Sequence, residues 1–225
     1  MKGKILNNLC KTIREVTDFV PMTAKLKLID AARVCILQVE TLDGSPVFGV
    51  ESGHELDVAE ILKMKVDDST EYTPTIRDEA WYVLGAEDRE YTFAMLENTD
   101  KDPKVPEIDP PAMSEFDVKR FADFVKVAKT YTDHIEVRVM DDGTLQAMAQ
   151  NGGDGLGAVY KVKVGRGVAS QPMDSRYPVD YLAKMVPHMT KNTVLRFDSD
   201  FPCIITWDDG TYRYTYLLAP RIESR

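Results

Sequence analysis

No stretch of this sequence approaches the roughly 20 consecutive apolar residues of a membrane-spanning helix, and no signal peptide opens it, so a soluble, cytoplasmic protein is expected. Cysteine is scarce. Cys10, Cys35 and Cys203 lie far apart in apolar surroundings without metal-ligand spacing, which predicts buried thiols in a reducing compartment. His54, His134 and His188 are isolated from one another and from any carboxylate at ligand spacing. There is no GxxxxGK[ST] loop, and Gly152, Gly153, Gly155 and Gly157 are not followed by a helix, so this run reads as a flexible turn rather than a nucleotide site. No serine sits in a nucleophile elbow. Asp67-Asp68, Asp141-Asp142 and Asp208-Asp209 could in principle bind metal, but the last two pairs precede glycines in hairpin turns, where Asp is favoured by turn geometry. These absences exclude the familiar enzyme classes and predict neither metal nor other cofactor.

Positive charge is also short: 28 Lys and Arg against 37 Asp and Glu give a net charge of −9. Binding to phosphates is driven by Lys and Arg, so only an uneven distribution of charge can support a nucleic-acid partner. High-salt adaptation and simple solubility account for the same balance.

What is present is a repeated order of elements. Ile5, Leu9, Ile13 and Val16 share a face over residues 1–16, with Lys4, Lys11 and Arg14 roughly opposite. Strand-like runs follow at 25–29 and 34–39, a second helix is predicted over 56–65, and strands resume at 71–77, 80–85 and 89–96. From Glu97 to Pro111 the chain is polar and stiffened by Pro103, Pro106, Pro110 and Pro111, as in an extended connector. The order then starts again. A helix capped by Asp117 turns Phe121, Phe124, Val125 and Ala128 to one side; strands fall at 134–140, 144–149 and 158–164. A helix over 179–189 and strands at 193–198, 202–207 and 211–218 complete it. The expected organisation is a domain over 1–96, a connecting loop over 97–112 and a second domain over 113–225. Helices too few to cover both faces of several sheets are expected to pack on one face of a mostly antiparallel β layer, an α+β fold.

The helical windows 2–16, 55–66, 117–130 and 179–191 together carry 12 basic and seven acidic residues, or +5, which leaves −14 for the remainder. Ordinary solvated helix faces explain this enrichment, and so does a surface that meets phosphates while the acidic exterior repels them. No aromatic residue interleaves with the lysines as a base-stacking platform requires, and no recognition-helix or zinc-finger pattern occurs. Any DNA bound is therefore duplex, held by its backbone without sequence preference.

The chain ends on Tyr216-Leu217-Leu218-Ala219-Pro220-Arg221-Ile222-Glu223, a strand stopped by a proline, with the tail expected to leave the sheet as a free arm. This string resembles the C-terminus of sliding clamps of the archaeal and eukaryotic PCNA family, and other segments do so in the same order. Ile29-Asp30-Ala31-Ala32-Arg33-Val34 is similar to the loop before a central strand, and Val105-Pro106-Glu107-Ile108 to the exit of the interdomain connector. Asp133-His134-Ile135 resembles the step after the third helix, Tyr177-Pro178-Val179-Asp180-Tyr181-Leu182 the opening of the fourth, and Phe201-Pro202 to Ile222 the last hairpin.

The resemblance implies a DNA clamp, or processivity, fold: two similar β-rich domains per chain, with helices lining the inner face of a homotrimeric ring. The implied activity is not enzymatic. It is that of a processivity factor that encircles double-stranded DNA and tethers DNA polymerase, clamp loader and other clamp-binding-motif proteins. A monomeric clamp-fold scaffold or inhibitor that does not encircle DNA is the alternative. By the resemblance, Lys4, Lys11, Arg14, Lys63, Lys119, Lys126, Lys184 and Lys191 face the DNA. Ile29, Val34, Ile108, Pro202, Leu217, Leu218, Ala219 and Pro220 form the partner-peptide pocket. Edge strands near 89–95 and 158–164 join subunits, with Arg89, Tyr91 and Phe93 on one side and Val159, Lys161 and Lys163 on the other. The chain departs from the family where the first strand is missing or reduced, where Asn7 and Asn8 replace lysines, and where Glu60 adds an acid to the second helix; Pro187 must end the fourth helix early. A thinner basic lining suits an archaeal cell, a halophilic one included, or a virus replicating in its host's cytoplasm.

Overall fold

The computed structural model describes residues 1–85, 89–98, 103–151, 157–169 and 172–222. The chain divides into two compact units, Met1–Val105 with Asp209–Tyr214, and Pro106–Asp208 with Thr215–Arg225. The tip of the last hairpin thus joins the first unit, although it lies within the segment 113–225 that the sequence assigns to the second domain.

The first unit opens with α1 (Gly3–Arg14), then β1 (Phe19–Pro21), β2 (Lys25–Ile29), β3 (Cys35–Thr41) and β4 (His54–Asp57). After α2 (Val58–Lys63) come β5 (Tyr72–Arg77), β6 (Ala80–Gly85), β7 (Glu90–Ala94) and β8 (Leu96–Glu97). These strands form the antiparallel sheets β1-β4-β8 and β5-β6-β7 and the hairpin β2-β3. The second unit holds β9 (Ala112–Phe116), α3 (Val118–Ala128), β10 (His134–Val139), β11 (Thr144–Gln150), β12 (Val159–Val168) and β13 (Met173–Pro178). It continues with α4 (Val179–Met185), β14 (Val194–Phe197), β15 (Cys203–Asp208) and β16 (Tyr212–Leu218), whose first residues belong to the first unit. Its sheet runs in the order β13-β10-β11-β12-β9-β14-β15-β16. No helix among the described residues is long and apolar enough to cross a membrane.

Local sequence explains most of these boundaries. The Asp57 carboxylate accepts the N–H groups of Ala59 and Glu60, and that of Asp117 accepts the N–H of Arg120, so each satisfies donors left open at a helix start. Pro187 ends α4 as expected, the chain tightening into a 3-10 turn at Val186–His188. Three elements differ from the sequence reading, one of them β13, a strand paired with β10 where the sequence reading placed none. Residues 54–57 are a strand rather than the approach to a helix, because Leu56 is buried opposite Val20 and the helix cannot begin before its cap at Asp57. Ala112–Phe116 is a strand inserted between β12 and β14, with Ala112, Ser114 and Phe116 turned inward directly after the proline pair.

Helix faces follow the 3.6-residue period, with one adjustment. In α1 the buried stripe is Leu6, Leu9, Cys10 and Ile13, whereas Ile5 and Val16 are only half-buried. In α3 it is Phe121, Phe124, Val125 and Ala128, as read from the sequence. α1 packs beside α2 in the first unit; α3 and α4 lie side by side on one face of the second unit's sheet. The first core centres on Trp81, which meets Phe48 edge-on at 5.7 Å and Phe93 at 5.5 Å. The second is a run of rings, Phe116, Phe121, Phe124 and Tyr160, at 5.1 to 6.5 Å between neighbours.

The start of α1 presses against the loop before β5. Gly3 N–H donates to Thr70 C=O and Lys4 N–H to Asp68 C=O, and a Cβ at position 3 would lie 1.9 Å from the Asp67 carbonyl oxygen. Helix propensity alone favours alanine over glycine by about 1 kcal/mol. A clash with fixed backbone outweighs that gain, so Gly3→Ala is expected to lower stability by about 1–3 kcal/mol, measured by urea unfolding. Equal or greater stability would mean that this contact opens freely. All three cysteines are buried. Burial pushes the Cys203 thiol up to about 12 and the Cys10 thiol higher still. A thiol reagent at neutral pH should therefore label the native protein at none of them and all three after unfolding.

Candidate functional site

The basic residues of the helices sit opposite the buried stripes. In the first unit Lys4, Lys11 and Arg14 are exposed on α1, and Lys63 is exposed at the end of α2. Two of these four are engaged: Arg14 lies 3.6 Å from Asp18, and Lys63 lies 2.5 Å from Glu60. The Glu60 hydrogen bond and charge hold the Lys63 ammonium above its ordinary pKa. In the second unit Lys119 and Lys126 are exposed on α3 and Lys184 on α4, its Nζ 5.8 Å from the centre of the Tyr181 ring. Lys191 is exposed in the turn beyond the fourth helix rather than on it. Arg120 on α3 and Lys129 at its C-terminal cap are exposed as well. Lys129 pairs with Asp180 of α4 at 3.1 Å and Arg120 with Asp117 at 3.6 Å, so both are partly neutralised.

The turn carboxylates do local work. Asp142 accepts the Thr144 N–H, Asp209 those of Thr211 and Tyr212, and Asp67 that of Ser69. Ser69, with Arg89 behind it, holds the Asp67 carboxyl down to about 2.

The residues assigned to a peptide pocket divide between the units. Ile29 and Val34 are half-buried in the first. The Asp30 carboxylate between them accepts N–H groups from Ala32, Val34 and Cys35 at 3.1, 2.7 and 2.7 Å, and Arg33 closes the turn with φ of 57°. In the second unit Ile108, Pro202, Ala219 and Pro220 are half-buried, whereas Leu217 and Leu218 are 6% and 0% exposed. The two leucines therefore pack in the second core, leaving the other four as the reachable surface.

The tail is not the free arm that its sequence suggests. Arg221 N–H donates to Arg176 C=O of β13 at 2.8 Å, and its guanidinium donates to Asp133. Asp133 also shares a 2.7 Å hydrogen bond with His134 Nδ1; His134, then Arg221, hold its carboxyl below the usual carboxylate range. Ile222 is 70% exposed just beyond. A strand-ending proline reveals where pairing stops, but the clip depends on Asp133, 88 residues away.

Among the strand edges without a neighbour in the described residues are those of β7 and β12. β7 is the last strand of β5-β6-β7, and β12 meets β9 only from Gly165 onward, so 159–163 have a neighbour on one side alone. Of the residues assigned to a subunit contact, Arg89 pairs with Asp67 at 2.7 Å, Tyr91 meets Tyr72 edge-on, and Phe93 is buried against Trp81. Val159, Lys161 and Lys163 are exposed.

A duplicated helix-on-sheet unit with basic helix faces and open edges is the design of a DNA clamp fold, and comparison with known proteins agrees. The solved A. fulgidus PCNA, determined with the C-terminal region of FEN-1 bound, matches all of this chain and 98% of its own at a TM-score of 0.80 and 20% identity. PCNA from Thermococcus kodakaraensis matches 98% of both chains at 0.81 and 16%. Among sequences, the DNA polymerase sliding clamp of Methanosarcina barkeri is 30% identical over 148 residues, 60% of this chain but only 57% of its own length. That of Methanothrix thermoacetophila is 24% identical over 98% of this chain and 96% of its own. No protein-family model matches. The chain thus has the fold of these PCNA clamps and is similar in sequence to archaeal DNA polymerase sliding clamps, about 57% of whose length the 30%-identical match spans.

The tail clip gives a direct test. Exposed ion pairs contribute about 0.2–1 kcal/mol. Asp133→Ala should therefore speed hydrogen exchange at the Arg221 amide by up to about five-fold, while amides of β10 and β11 keep their protection. An unchanged Arg221 amide would show that the backbone bond alone holds the tail.

Proposed function

We propose that this chain is a DNA sliding clamp. Three copies form a ring that encloses duplex DNA without sequence preference, and the ring tethers DNA polymerase and other replication and repair proteins after a clamp loader places it. It performs no chemistry, needs no cofactor, and works in the cytoplasm beside the nucleoid, or in the host cytoplasm if viral. One observation carries the reading: in a chain of net charge −9, all four helices bear exposed lysines on the side away from their buried stripes. Such lysines meet phosphates by charge alone, which gives contacts weak and interchangeable enough for sliding.

For partners, the half-buried residues offered to a short peptide motif are Ile29 and Val34 in the first unit and Ile108, Pro202, Ala219 and Pro220 in the second. That A. fulgidus PCNA was determined with the C-terminal region of FEN-1 bound supports clamp-binding proteins as the class of partner.

Replacing Lys11, Lys126 and Lys184 together by Glu should reduce clamp-dependent DNA synthesis and leave the oligomer intact. The log–log dependence of DNA affinity on salt should flatten by about 0.9 for each lysine lost. Unchanged synthesis with an unchanged slope would remove these residues from the DNA face. Topological retention gives an independent check: once loaded, the protein should stay on circular duplex and leave when that duplex is cut. Equal retention on both forms would rule out encirclement.

A further inference from the structure

The two units repeat one another strand for strand, save at one place. In the second, β10 pairs with β13, β11 with β12, and β14, β15 and β16 follow in turn. In the first, β1 pairs with β4, β2 with β3, and β5, β6 and β7 follow in turn. β9, which lies between β12 and β14, has no counterpart among the described residues. The buried stripes of α1 and α3 match at Leu6 with Phe121, Leu9 with Phe124, Cys10 with Val125 and Ile13 with Ala128, which sets Met1 against Phe116, the last residue of β9. Met1 makes that last step on β5. Its nitrogen donates to Tyr72 C=O at 2.6 Å, Tyr72 N–H donates to Met1 C=O at 2.7 Å, and Lys2 bridges antiparallel to Glu71. The next steps of the same path lie beside Thr73 and Pro74, and there the first unit holds a cleft of about 560 Å³, the size of a ligand site. Thr41 at the end of β3 forms its other side, so the cleft lies between the counterparts of the two strands that hold β9.

What the cleft leaves uncovered is apolar. Leu195 and Phe197 of β14, beside β9, are 4% and 0% exposed, whereas Pro74 and Ile76 at the same steps of β5 are only half-buried. Ile5, Leu42 and Val47 join Pro74 in the wall, and Leu42 is 46% exposed. Tyr72 turns its N–H and C=O to the open side of β5, and by the two-residue period Pro74 and Ile76 do the same, Pro74 with its carbonyl alone. Asp43 is the one charged side chain in the lining, and hydrogen bonds from Ser45 hold its carboxyl below the usual carboxylate range.

We propose that this cleft receives an extended segment of a partner protein, added to β5 as an antiparallel strand in the place that β9 fills in the second unit. The segment runs with its C-terminal end toward Met1 and makes about three backbone hydrogen bonds on β5, one at Pro74 and two at Ile76. Its inward side chains stand opposite Pro74 and Ile76, as Ser114 and Ala112 stand opposite Leu195 and Phe197. The apolar wall selects aliphatic residues at those two positions. Asp43 at the mouth favours a Lys or Arg on the alternate, outward side. Without such a segment β5 keeps unpaired backbone beside exposed apolar surface, the combination that edge strands ordinarily avoid.

Hydrogen exchange of the full chain with the synthetic peptide acetyl-Thr-Ile-Thr-Val-Lys-amide tests the site. In the proposed register its Ile lies opposite Ile76 and its Val opposite Pro74. At saturating peptide the Ile76 amide should exchange about tenfold more slowly or better. The same peptide N-methylated at Ile and Val lacks the donors aimed at the Ile76 and Pro74 carbonyls, and should give no protection. Leu42→Lys sets a charge of the peptide's own sign in the exposed wall and should weaken binding by about tenfold, with the urea midpoint of the free protein unchanged. No slowing at Ile76, or slowing confined to β7 or β12, overturns the site. Equal protection by the N-methylated peptide overturns the strand pairing. An Ile76 amide already protected in the free protein, and exposed on dilution, assigns the cleft to a second copy and overturns the partner.

Discussion

An amphipathic helix laid on one face of a sheet can bury a single stripe, and this limit decides where the charge of the chain is placed. In α3 the stripe is Phe121, Phe124, Val125 and Ala128, so Lys119 and Lys126 can only point the other way. The same holds in α1, where Leu6, Leu9, Cys10 and Ile13 go inward and Lys4 and Lys11 outward. Had the helices been covered on both sides, these lysines would have needed buried partners. A sheet with one helical face leaves them in water. The acidic surplus lies elsewhere, much of it in turns where Asp caps its own backbone.

The second constraint is the unpaired backbone of an edge strand, a hazard unless something occupies it. β7 and the first half of β12 carry no proline, and their neighbours leave them bare among the described residues. By contrast, β5 carries Pro74 in its middle and takes Met1 at Tyr72, and the Arg221 amide bonds to β13. Among the described residues, the chain thus covers part of the β5 and β13 edges and leaves β7 and the first half of β12 bare.

Much of this was legible in the residues. The 3.6-residue period of 117–129, the caps at Asp57 and Asp117, the glycine turns and the proline connector each act within a few positions, and they place most elements within a residue or two. What escaped depended on contacts far along the chain. Leu56 reads as helical until Val20 is seen opposite it, and Ala112–Phe116 reads as the end of a connector until β12 and β14 are found on either side. The tail reads as free because Asp133 and Arg176 are far from Arg221 in sequence.

The residue pattern by itself determined which side chains are apolar on a helical period, hence the helices, their basic faces and the duplicated order. These follow from local spacing and need no distant partner. Tertiary structure alone decided which backbone groups face outward. Arg89, Tyr91 and Phe93 lie on the right strand, yet the hydrogen bond from Gly85 to Arg89 turns their amides inward and gives the open side to Glu90, Thr92 and Ala94. Side-chain alternation is written in the sequence. The direction of N–H and C=O is settled only when a neighbouring strand takes one side, because either choice satisfies the same pattern of residues.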